Sequence, residues 1–244
     1  PIALILHPHP QFGGTMNNRV VYNLHYCFYK MGFNVMRFNF RGVGRSQGEF
    51  DQGVGELSDA AAALDYLQMH NPNTKHCWVV GFSFGAWIGM QLLMRRPEIS
   101  GFISVSPPAN MYDFSFLAPC PSSGLIINGS SDRVAPPDDV LGLAEKLHEQ
   151  KGITITQEVV EGADHFFQNS HMDTLLGTVE SYVKQRLTEI NGAINLTLFF
   201  CKCPIMCHLI SFGSCDFFLK ISCTLFSPNS RSPNSYTFLT QSIV

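Results

Sequence analysis

Charge is scarce in this chain. Only 14% of its 244 residues are Asp, Glu, Lys or Arg, and 16 basic side chains face 19 acidic ones for a formal net charge of −3. Binding to nucleic acid or to an anionic membrane surface calls for a basic surplus, so neither partner is expected. Cysteine is sparse where a fold would need it. Only Cys27, Cys77 and Cys120 lie in the first 192 residues, which excludes a disulfide framework and points to a reducing, cytoplasmic compartment. The start lacks a cationic n-region, so it is not a signal peptide. It opens at Pro1 on an apolar run, like a chain cut just before a strand, and upstream residues are expected.

What is present is enough apolar material for a core, at 45% of residues, arranged in a regular alternation. IALILH (Ile2 to His7), FNVMRFNF (Phe33 to Phe40), HCWVVG (His76 to Gly81) and runs starting at Gly101, Gly124 and Ile153 have strand character. Helical spacing covers Met16 to Met31, Gly55 to His70, Phe84 to Arg95, Pro137 to Gln150 and Met172 to Ile190. Connections this long between strands require right-handed crossovers and a mostly parallel sheet covered on both faces. The expected fold is therefore a doubly wound α/β domain over residues 1–190, with its site at the carboxyl ends of the strands.

The end of the chain, residues 191–244, has a different character. From Ala193 onward only Lys202, Asp216, Lys220 and Arg231 are charged, and no clean period emerges. Its uncharged runs fall short of the ~18 residues that a transmembrane helix needs. CKCPIMCH (Cys201 to His208) matches no common zinc spacing. This tail is expected to be disordered or non-native, and no function is assigned to it.

Chemistry-bearing residues gather behind the strands. GFSFG (Gly81 to Gly85) lies between a strand and a helix, where a sharp turn with serine at its apex exposes the hydroxyl above the sheet. A serine nucleophile needs a base, and the base needs an orienting acid. IINGSSDRV places Asp132 behind the next strand but one, and VVEGADHFF places His165 behind the last. Asp138 and Asp139 instead have the placing of first-turn helix acids. Asp164 adjoins His165 but points elsewhere. Among the other histidines, His25, His70 and His148 lie in expected helices, His76 begins a strand and His171 precedes a helix. The glycines Gly42, Gly44 and Gly48 have the spacing GxGxxxG, which is not the dinucleotide fingerprint.

GFSFG, GSSD and GADH, in that order, resemble the α/β-hydrolase family over roughly residues 1–190. RFNFRGVGRSQG is similar to the loop that such proteins carry before the nucleophile strand. HPHPQFGGTMNN is similar to a small bacterial branch described as dienelactone-hydrolase-like or serine-aminopeptidase-like. Dienelactone hydrolases proper use cysteine where this chain has Ser83, so their substrate does not carry over. The resemblance implies an α/β-hydrolase fold without a large cap. It also implies two further strands before the one that begins here, whose absence would leave an exposed edge. It implies a Ser83–His165–Asp132 triad and an oxyanion hole of two backbone N–H groups, one from Phe84 and one from the loop after the first strand. In that loop Pro8 and Pro10 have no N–H, so His9 is the favoured donor, with Gln11 or Phe12 next.

The expected activity is hydrolysis of a small ester or amide without metal or organic cofactor. The competing expectation is a non-catalytic or truncated member of the same fold. Between Ser106 and Ser122 only 17 residues occupy the usual position of a cap. Their Met111, Tyr112, Phe114, Phe116 and Leu117 either line the site or pack on the sheet.

Overall fold

Six short strands whose successive side chains enter two different cores determine the architecture. The computed structural model describes residues 1–117, 119–148 and 153–201, with backbone alone for His148 and residues 191–201. Pro1–Ile190 forms one compact unit and Asn191–Val244 a second. The strands are β1 (Ile2–Leu6), β2 (Asn34–Arg37), β3 (Cys77–Phe82), β4 (Ile99–Val105), β5 (Gly124–Gly129) and β6 (Ile155–Val160). They form one wholly parallel sheet in the order β2-β1-β3-β4-β5-β6.

Alternate side chains of each strand enter opposite cores. Ala3 and Ile5 of β1, with Trp78, Val80 and Phe82 of β3, pack under helices α1 (Arg19–Lys30) and α5 (His171–Cys201). Ile2, Leu4 and Leu6, with Cys77 and Val79, pack under α2 (Val54–Met69), α3 (Phe84–Leu93) and α4 (Pro137–His148). Each fully buried large side chain contributes ~1.5–3 kcal/mol of transfer free energy. The central strands are buried on both faces, as parallel strands must be.

Polar groups anchor the loops between these elements. Asn18 caps α1 by accepting the Val20 N–H at 2.9 Å, so the helix starts at Arg19 and not at the expected Met16. Buried Glu56 caps α2 by accepting the N–H groups of Asp51 and Gly53 at 2.9 and 2.7 Å. The Arg41 guanidinium grips both carboxylate oxygens of Asp59. The Gly-rich loop is thus tied to α2 by charge. Strand β2 ends at Arg37, short of the expected Phe40, because the Phe40 N–H donates to His7 Nε2 at 3.0 Å and not to a neighbouring strand.

The end of α5 is a third correction. The helix continues to Cys201, past the expected boundary at Ile190, since the lone Gly192 costs a helix only ~1 kcal/mol. Apart from the Cys201 backbone, the CKCPIMCH stretch lies outside the described residues. Among the described residues, no helix is long and apolar enough to cross a membrane.

Candidate active site

Strand β3 delivers Ser83 to the carboxyl edge of the sheet in a tight, strained turn. Ser83 has φ 56° and ψ −121°, a backbone conformation that costs a non-glycine residue ~1–3 kcal/mol. The surroundings hold it there. Its N–H donates to Val105 O at 2.9 Å, and its carbonyl accepts the Ala86 N–H at 2.8 Å. A Cβ at Gly81 would collide with the backbone of Gly85 and Ala86, and one at Gly85 with the carbonyls of Leu6 and His7. The two glycines therefore let the elbow sit directly on the first strand.

Three strand ends bring Ser83, His165 and Asp132 together. His165 Nε2 lies 3.1 Å from Ser83 Oγ, and His165 Nδ1 lies 2.8 Å from Asp132 Oδ2. A carboxylate can only accept, so Nδ1 carries the proton and Nε2 is left to accept from the serine hydroxyl. Asp132 Oδ1 also accepts the N–H groups of Val134 and Ala135 at 2.9 and 2.8 Å. Burial pushes the Asp132 carboxyl up. The hydrogen bond and charge of His165, with the Ala135 N–H, outweigh burial and hold it below the ordinary aspartate value. All three side chains are buried. Asp138 and Asp139 lie in the first turn of α4, and Asp164 accepts the Gln168 N–H.

The loop after β1 answers for its two histidines separately. His7 is fully buried, and its Nδ1 donates to Pro8 O at 2.6 Å while Nε2 accepts the Phe40 N–H. The acceptor role of Nε2 demands the neutral ring. Burial lowers its pKa to about 4, against a smaller upward effect of the Pro8 carbonyl. In a trans peptide the C=O and N–H point opposite ways. Holding Pro8 O on the buried His7 therefore turns the His9 N–H away from it. Three other N–H groups of the loop are occupied: Gln11 donates to His9 Nδ1, and Phe12 and Gly14 to His9 O. Among the described residues, neither the His9 nor the Phe84 N–H has an acceptor. The His9 ring packs against Phe12, Phe50 and Phe84, and burial lowers its pKa, with a weaker opposing effect of Glu56.

Ser83, Phe84, His9 and His165 line one cavity of about 330 Å3. The short segment after β4 divides its labour. Met111 and Tyr112 line this cavity, whereas Phe114 and Leu117 are buried in the core under α2–α4, with Phe116 and the flank of Tyr112 packed against it. Phe12, Val134 and Phe166 complete the mouth; the sequence offered Phe12 only as an alternative N–H donor and did not offer the other two. The available signal was adjacency, since each lies within three positions of His9, Asp132 or His165. Among the described residues, no three His, Cys, Asp or Glu side chains come together to hold a metal ion.

A sequence family described as having the alpha/beta hydrolase fold matches residues 5–123. An uncharacterised protein of Rickettsia prowazekii is 56% identical over 172 residues, 69% of this chain and 72% of the relative. A solved structure from Agrobacterium tumefaciens, of unknown function and described as a candidate α/β hydrolase, is 67% identical. It covers 78% of this chain and 86% of its own, with a TM-score of 0.75. A lidless α/β serine hydrolase of Xanthomonas campestris is 33% identical over 75% of this chain and 81% of its own, with a TM-score of 0.69. An α/β serine hydrolase homologue from Coxiella burnetii is 35% identical over 74% and 84%, with a TM-score of 0.66.

Proposed function

The chain belongs to the α/β-hydrolase family, and from that premise we propose that it is a serine hydrolase cleaving a carboxylic ester or amide by acyl transfer to water. The observation that carries this reading is the unbroken relay from Asp132 through His165 to Ser83.

Ser83 Oγ attacks the substrate carbonyl while His165 Nε2 takes its proton, giving a tetrahedral oxyanion. Asp132 holds the imidazole in the tautomer that can accept and stabilises the imidazolium that forms. The unpaired N–H groups of His9 and Phe84 receive the oxyanion. Their fixed positions count because donors that need no reorganisation stabilise charge most. His165 then protonates the leaving group. Water, deprotonated by the same ring, releases the acyl group and restores Ser83. The strained Ser83 backbone supports the reading, because such strain persists where the surroundings over-determine it.

Release of p-nitrophenol from p-nitrophenyl hexanoate tests the activity. Wild type should turn it over, and Ser83→Ala or His165→Ala should each lower kcat by on the order of 10³ or more. Equal rates for wild type and both variants would sink the proposal.

A further inference from the structure

We infer that the site accepts acyl groups that are apolar and uncharged, and discriminates against esters whose acyl chain ends in a free ammonium or carboxylate. This rests on the serine-hydrolase reading above and extends it to substrate class.

The first observation is the lining. Among the described residues, the polar ones at the cavity besides Ser83 and His165 are His9, Asn18 and Tyr112, and no Asp, Glu, Lys or Arg side chain contributes. The three are uncharged near neutral pH. His9 Nδ1 accepts the Gln11 N–H, as a neutral ring does, and burial lowers its pKa; burial raises that of the Tyr112 hydroxyl. Asp132 is no counterion for a substrate ammonium. Both its oxygens are engaged by His165, Val134 and Ala135, and it does not reach the cavity. A charge entering this space would give up hydration and find no partner.

The second observation is the mouth. Phe12, Met111, Phe166 and Val134 line it while remaining 85, 57, 46 and 39% exposed. Single exposed apolar side chains are ordinary, but a group of them around one opening marks a surface built to be covered by apolar matter. At ~30 Å3 per heavy atom, the cavity of about 330 Å3 holds roughly ten atoms. A medium acyl chain fills it and leaves its end among these four side chains.

Three esters of one leaving group and one chain length test the inference on the full chain: p-nitrophenyl hexanoate, p-nitrophenyl 6-aminohexanoate and mono-p-nitrophenyl adipate. The Ser83→Ala rate serves as the blank. The neutral ester should exceed both charged ones at least tenfold in kcat/KM, chiefly through KM. Met111→Glu, at an exposed position outside the reacting groups, should raise the ammonium ester relative to the neutral one at least fivefold. A neutral preference below tenfold overturns the inference, as does a Met111→Glu ratio that does not move. Turnover of none of the three above the blank overturns the serine-hydrolase reading itself, and is distinguishable from equal turnover of all three.

Discussion

Replacing His7 by Phe keeps a ring of similar size in the core and removes both nitrogens. Two buried groups lose their partners: Pro8 O, now 2.6 Å from Nδ1, and the Phe40 N–H, 3.0 Å from Nε2. A buried polar group left unpaired costs ~1–3 kcal/mol, so the variant should be ~2–6 kcal/mol less stable at pH 7.5 in urea titrations. Activity should fall by a separate route. The Pro8–His9 peptide is no longer pinned, and loss of one oxyanion donor is worth ~10²–10³ in kcat. A kcat loss of at least tenfold is expected, with KM little changed.

The pH dependence supplies a third arm. The His7 pKa is lowered from 6.5 to about 4, so between these values the unfolded chain binds the extra proton. Wild-type stability should therefore decline as pH falls from 6.5 towards 4, by up to ~3 kcal/mol at ~1.36 kcal/mol per unit. His7→Phe lacks this contribution, so its stability gap to wild type should narrow at pH 5. A variant with unchanged kcat, or with a gap that stays constant from pH 7.5 to 5, would refute the role given to this histidine.

Other substitutions test neighbouring parts of the account. Asp132→Asn should keep the fold by circular dichroism but lower kcat by on the order of 10³–10⁴, because an amide no longer selects the His165 tautomer; full activity would remove Asp132 from the relay. Gly85→Ala should destabilise the protein by more than ~2 kcal/mol, since its methyl group would meet the carbonyls of Leu6 and His7; a thermal midpoint within 2 °C of wild type would show that the elbow has slack. Asp59→Asn should cost ~1–2 kcal/mol through the Arg41 grip that it weakens while leaving KM for the hexanoate unchanged.

The sheet was legible because its strands are short runs separated by helical spacing, the central ones apolar and buried on both faces, and each of the six expected strands is found. Ser83, Asp132 and His165 were legible for a related reason. Each follows a strand directly, and a parallel sheet gathers such positions at one edge. What escaped depends on contacts distant in sequence. The end of β2 is set by His7, 33 positions away, capturing the Phe40 N–H. The division of the Ser106–Ser122 segment depends on which side chains reach the core, and Phe114 and Met111 look alike to a hydrophobicity pattern. The α5 end was misplaced because Gly192 is a weak stop signal on its own.

The central claim is that Ser83 is an activated nucleophile, and intact-mass analysis of the full chain after a fluorophosphonate probe tests it most directly. Wild type should gain the mass of one phosphonyl group, and Ser83→Ala should gain none, with both proteins showing the same folded α/β circular dichroism spectrum. A folded wild type that stays unmodified, or a Ser83→Ala variant that is modified equally, would contradict the account.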